Sequence, residues 1–247
     1  SSRTPYYVTS IIESNTTARR VLEAGLPGLP TYRPWQRFST LALPSRSWPA
    51  RAPAGVAVVQ GSADRRAEVA ACLQRNYARY SLAPLWTEED LASPERCRGL
   101  RPEDFVLAVR ADRVVGCLAV WDQRAFKQHV VRGYSGRVER WRRPINLAAR
   151  VSLLPRLPDV GRPLDEASLS HAAVDDDDAA IMLTLVSAAL GMARARGLDF
   201  VTLGLSERNP MLAAVKARFR HLEYRSILYL VHWEDGRAAA AALDDRP

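Results

Sequence analysis

Val174 to Pro210 reads VDDDDAAIMLTLVSAALGMARARGLDFVTLGLSERNP, and the order of elements within it decides the fold. Ala167 to Ala173 leads into it as a strand. After four aspartates, Met182, Leu185, Val186, Ala189, Leu190 and Ala193 recur at the three-to-four spacing of one buried helix face. Gly197 ends that helix, as a residue free to take a positive φ can. Phe200 to Leu205 is rich in β-formers and mostly apolar, the composition of a strand covered on both faces. Asn209 can cap the next helix and Pro210 can open it. Met211 to Arg220 then reads as that helix, and Tyr224 to Trp233 (YRSILYLVHW) alternates like a half-buried strand.

Working outward towards the N-terminus, Gly55 to Gln60 is predicted as a strand. Ser62 or Asp64 caps a helix through Tyr80, and Thr87 with Glu88, Glu89 and Asp90 opens a shorter one. Phe105 to Arg110 and Val114 to Trp121 flank a three-residue turn and make an antiparallel hairpin. Between that hairpin and the decisive stretch lie 44 residues, Gln123 to Glu166. There Arg132, Arg137, Arg140, Arg142, Arg143 and Arg150 interleave with Tyr134 and Trp141, and prolines 144, 155, 158 and 163 are expected to break the second half.

A chain of 247 residues supports one and a half to two domains with a sizeable core. Cys72, Cys97 and Cys117 have neither metal nor disulfide spacing, so a reducing cytoplasmic setting is expected and no metal site is assigned. No apolar run reaches the roughly 20 residues of a membrane-spanning helix, and no signal peptide opens the sequence. The net charge of +8 invites a nucleic-acid partner, but its make-up argues against one. Only Lys127 and Lys216 of the 35 basic residues are lysines, and the arginines are dispersed rather than patched.

The stretch from Val174 to Pro210 resembles the acyl-CoA-binding core of the GNAT superfamily of N-acetyltransferases. In that family a strand passes into a loop of pattern Q/R-x-x-G-x-G/A, a helix ending near an A-R-x-R-G-like sequence, a strand, and an Asn opening the next helix. Here Ala193-Arg194-Ala195-Arg196-Gly197 and Asn209 match, and the earlier strand, two helices and hairpin follow the family's order. The resemblance implies an α/β fold: a mixed, twisted sheet flanked by helices. It also implies transfer of an acetyl group from acetyl-CoA to a small-molecule or peptide amine. The residues it assigns to the cofactor are Ala173, Val174, Asp178, Ala179, Ala180, Ile181, Met182 and Asn209. A pyrophosphate would sit at the helix start, where free N–H groups and the dipole favour anions.

The loop itself departs from the pattern. It falls on Asp177 to Met182, with an aspartate at the basic or amide position and Ala180 and Met182 at the small ones. Each carboxylate about 6 Å from a phosphate charge costs roughly 0.7 kcal/mol in bulk water and nearer 3 at an effective dielectric of 20. Aspartates also cap a helix themselves, so a structural helix start is the competing reading. Lys216 stands where the family's leaving-group Tyr is expected. For a general base the candidates are His171, on the strand expected to line the cleft, and Glu166 at its start. The excursion from Gln123 to Glu166 is either a packing arm or a cover for the acceptor cleft, with arginines suited to an anionic partner.

Tyr7 to Asn15 (YVTSIIESN) matches Phe200 to Asn209 (FVTLGLSERN) with one residue of slippage, an internal repeat. Residues 1–43 are therefore expected to be the end of a first GNAT-like unit, 44–54 a proline-rich linker, 55–234 a second unit and 235–247 a tail. With no opening Met, the chain is expected to begin inside a longer gene product. The function expected is N-acyl transfer. The alternative is a catalytically impaired domain with a structural, acceptor-recognition or dimerisation role, and homodimerisation stays open.

Overall fold

The computed structural model describes residues 4–46, 49–148 and 157–243. In chain order the elements are β1 (Tyr7–Ile12), α1 (Thr16–Leu22), β2 (Thr31–Pro44), β3 (Ala57–Gln60), α2 (Arg66–Tyr77), α3 (Glu88–Ala92), β4 (Phe105–Arg110) and β5 (Arg113–Trp121). They continue with α4 (Gly136–Ala148), β6 (Glu166–Val174), α5 (Ala179–Ala195), β7 (Phe200–Ser206), α6 (Met211–Arg218), β8 (Leu222–His232) and α7 (Arg237–Ala241). The strands form one sheet in the order β1-β8-β2-β7-β6-β5-β4-β3. Among the described residues only β6·β7 is parallel, and every other neighbouring pair is antiparallel.

Two layers of helix cover this sheet. On one face α5 and α6 bury Ile181, Met182, Leu185, Leu190, Met211 and Val215 against Leu41, Leu43, Val120, Leu203 and their neighbours. On the other, α2 and α3 bring Leu73, Cys72 and Leu91 onto Leu107, Cys117 and Ala119. The α5 spacing thus buries the face the sequence predicts. Gly116 lets α5 approach β5, since a Cβ there would lie 3.1 Å from both Ile181 and Leu185. Local signals hold elsewhere. Thr87 and Asp90 form a reciprocal capping box on α3. Ala111 and Asp112 take φ of 47° and 58°, the left-handed pair that a tight hairpin turn needs.

Several boundaries differ from expectation. β2 runs from Thr31, well before Phe38, because it pairs along β8 as well as β7. Pro144 lies inside α4 rather than ending it. It stands on an exposed face, and a proline removes only one N–H bond from the ladder. The expected tail carries α7, whose Ala240 is buried and whose carbonyl accepts a bond from Arg33. Residues 1–43 and 55–234, assigned to separate units from the sequence, contribute strands to the same sheet.

Candidate functional site

The parallel strands β6 and β7 pair only from Glu166·Phe200 to Leu169·Leu203 and then part. A bulge on β6 accompanies the divergence. Cys117 faces Ala173 and Ala119 faces Ser170, so His171 and Ala172 together oppose one residue of β5. His171 takes a φ of 52°, the left-handed geometry that lets the strand kink and twist.

Because successive side chains alternate, Leu169 and Leu203 enter the α5 core while Ser168 and Thr202 point to the opposite face. There an open groove of about 880 Å³ lies over β6, β7 and β2. Phe38, Thr40, Tyr224 and Phe200 line it from the sheet, and Arg124, Lys127 and His129 from the excursion. Gly204 makes room for the Phe38 ring, which a Cβ would meet at 2.5 Å. The excursion reaches the groove because its ends fold back on each other. Val130 bridges Pro163, and the Leu164 N–H donates to the His129 carbonyl at 2.8 Å.

Glu166 stands in this groove with only 14% of its side chain exposed, and its Oε1 meets Nδ1 of His129. Glu166, the residue the sequence names at the start of β6, thus lines the groove beside His129, a neighbour the sequence does not mark. His129 sits 37 residues away in a segment without periodicity, so no local signal marks it.

His171 does not line the groove. It is buried beneath α2 and α3, with Trp86, Phe105 and Trp121 around its ring at centroid distances of 4.3, 5.6 and 5.8 Å. The bulge turns it inward, which corrects the expectation of a histidine lining the cleft. Ser170 Oγ lies 2.9 Å from its Nδ1. Burial disfavours the charged ring and pushes its pKa down to about 4. A folded value below the ordinary 6.5 means that protonation favours the unfolded chain. The stability held above pH 6.5 is therefore expected to fall as pH drops towards 4. An NMR titration of the imidazole checks this: midpoint near 4 if the burial is as described, near 6.5 if the ring is open to water.

At the wide end of the splayed strands stands the start of α5. Asp175–Asp177 form a single tight turn in which Asp176 and Asp177 have φ of 56° and 52°. Asp178 caps the helix: its Oδ1 accepts from Ala180 N–H at 2.9 Å and Ile181 N–H at 3.2 Å. Its carbonyl takes the Met182 N–H at 3.0 Å. Asp175 and Asp177 are held by α2 and the residues just after it. Arg75 donates to both oxygens of Asp175 at 2.8 and 2.9 Å, joined by Asn76 at 2.7 Å. Arg79 grips Asp177 in the same forked way at 2.7 and 2.8 Å. Burial pushes the Asp175 pKa up, but the bonds from Arg75 and Asn76 outweigh it and hold the carboxyl below its ordinary value.

No family model and no curated protein matches this sequence. Solved structures do match its fold. A GCN5-related N-acetyltransferase from Sphaerobacter thermophilus superposes with a TM-score of 0.59 at 18% identity, over 98% of this chain and 61% of its own. A Drosophila protein gives 0.53 at 9% identity, over 93% of this chain and 61% of its own. A GCN5-related N-acetyltransferase from Kribbella flavida gives 0.48 at 10% identity, over 92% and 68%. The chain thus spans 61% of the length of the first two.

The chain has the GNAT fold.

The GNAT expectation puts a pyrophosphate at the start of α5, and the residues there do not fit it. The N–H groups of Ala180 and Ile181 are already bonded to the Asp178 side chain, and that of Met182 makes the ordinary helix bond to its carbonyl. A diphosphate would displace that cap and enter beside Asp175 and Asp177. Met182, at a small position of the family's loop pattern, has no exposed surface and packs in the core, because its position falls on the buried stripe of α5. Ala173 and Val174 are buried on opposite faces of β6. Asn209 caps α6 by accepting from the Met211 N–H at 2.9 Å. Lys216 donates to Glu223 at 2.6 Å. Among the described residues no cluster could hold a metal ion, and no helix is long and apolar enough to cross a membrane.

Proposed function

We propose that this chain is a GNAT-type domain of an N-acyltransferase, in which the groove over β6 and β7 receives the amine acceptor and the acetyl-CoA cradle is closed. The reaction concerned is transfer of an acetyl group from acetyl-CoA to an amine. This domain's part in it is acceptor recognition. The observation that carries the reading is the Asp178 cap, which takes the Ala180 and Ile181 N–H groups at the helix start, while the groove on the sheet stays open. A shielded carboxylate such as Glu166 attracts an ammonium group more strongly than an exposed one, because less water screens the pair. A small-molecule or peptide amine would enter between Glu166 and the Phe38 and Tyr224 rings.

Calorimetric titration with 1,4-diaminobutane, a plain amine probe, tests this. Weak saturable binding of roughly millimolar strength is expected, loosened about tenfold by Glu166→Gln, which keeps the shape and removes the charge. Equal binding by the two proteins would remove Glu166 from the acceptor site.

A second reading, a complete acyltransferase, is favoured by the convergence of Glu166 and His129, since such a pair can take a proton from an acceptor ammonium. Acetylation of an amine by residues 1–247 supplied with acetyl-CoA alone would establish it over the first.

A further inference from the structure

The register of the sheet repeats about an axis through the Phe38·Ser226 pair of β2 and β8. Turning the sheet half round that point carries Tyr7·Val231 of β1·β8 onto Val201·Leu43 of β7·β2, and Ile12·Ser226 onto Ser206·Phe38. Asn15 falls on Asn209, and both asparagines cap the helix that follows, through the N–H groups of Ala18 and Met211. Val21 falls on Val215. The repeat in the sequence is therefore also a repeat in the pairing, with the slippage placed at its start.

One half of this arrangement lacks what the other half has. β7 has β6 along its outer edge, paired in parallel, whereas β1 ends the sheet. α6 packs on α5 and buries Met211, Leu212 and Val215, whereas α1 buries no residue. Val215 has no exposed surface; Val21, its counterpart, is 52% exposed. Tyr7, Val8 and Ile12 of β1 are also exposed apolar residues, on an edge strand of the kind that invites pairing.

We propose that the outer edge of β1 and the Val21 face of α1 dock a parallel strand and covering helix equivalent to β6 and α5, supplied by a second unit of this fold. A second copy of this chain does not fit the position, because its own β6 and α5 are already committed to β7 and α6. The β6-to-α5-to-β7 connection is a crossover within one polypeptide, and a docked pair joined to β1 in the same right-handed way would precede it in sequence. This inference is independent of the acyl-transfer reading.

Amide hydrogen exchange tests it, comparing residues 1–247 with the polypeptide as its own cells make it, purified without truncation. The β1 amides pointing away from β8, and those of α1, are expected to exchange at least about tenfold more slowly in the cell-made polypeptide. Val21→Asp should lower the Tm of that polypeptide by about 4 °C or more and leave residues 1–247 nearly unchanged. Equal exchange in the two proteins, or an equal Tm loss in both, would overturn the proposal. So would protection of β1 by dimerisation of residues 1–247.

Discussion

Met182→Gly is expected to destabilise the chain by about 3–6 kcal/mol. Met182 is wholly buried among Val186, Leu185 and the sheet residues of the α5 core. Truncating such a side chain costs about 2–5 kcal/mol in lost burial and cavity, and glycine inside a helix adds about 1. Urea unfolding measures it. A loss below about 1 kcal/mol would mean the side chain faces solvent at the loop rather than the core.

Asp175→Ala is expected to cost about 3 kcal/mol, because it leaves Arg75 half-buried without its carboxylate. The expected pH dependence is as specific as the magnitude. Asp175 has its folded pKa lowered, so its contribution is present above the unfolded value of about 3.9 and is lost as pH falls through the folded one. The variant should therefore lose less of its remaining stability than the parent as pH drops from about 5 towards 2. Pairing it with Arg75→Gln completes a double-mutant cycle. The second change should cost much less in the Asp175→Ala background than alone. Additive losses would show that the two groups do not depend on each other and that the Asp175–Arg75 contact is incidental.

Apart from α4 and α7, which the sequence left within an excursion and a tail, the elements of this fold were legible because each carries a local signal. The α5 spacing, the Gly197 stop, the Thr87 cap and the turn at Ala111-Asp112 each follow from backbone geometry within a few residues. The site was legible only in part. Glu166 could be named because it begins a recognisable strand, and it lies in the groove. His129 could not, since only the antiparallel return of the excursion brings it to Glu166. His171 was placed on the correct strand, but a one-residue bulge turns it into a core that strict alternation would not give it. The aspartate run was read as repulsive to phosphate. Its partners, Arg75 on α2 and Arg79 just past that helix, lie about a hundred residues earlier, so the neutralising fork contacts had no signature near the loop.

Titration of acetyl-CoA into residues 1–247 by calorimetry, with NMR shifts followed at Ala179, Ala180 and Ile181, tests the closed cradle most directly. No saturable heat and no shift at those amides are expected up to about 1 mM, the concentration at which even a 4 kcal/mol interaction would show. Micromolar binding that moves the Ala180 and Ile181 amides would contradict it, because the nucleotide would then have displaced the Asp178 cap.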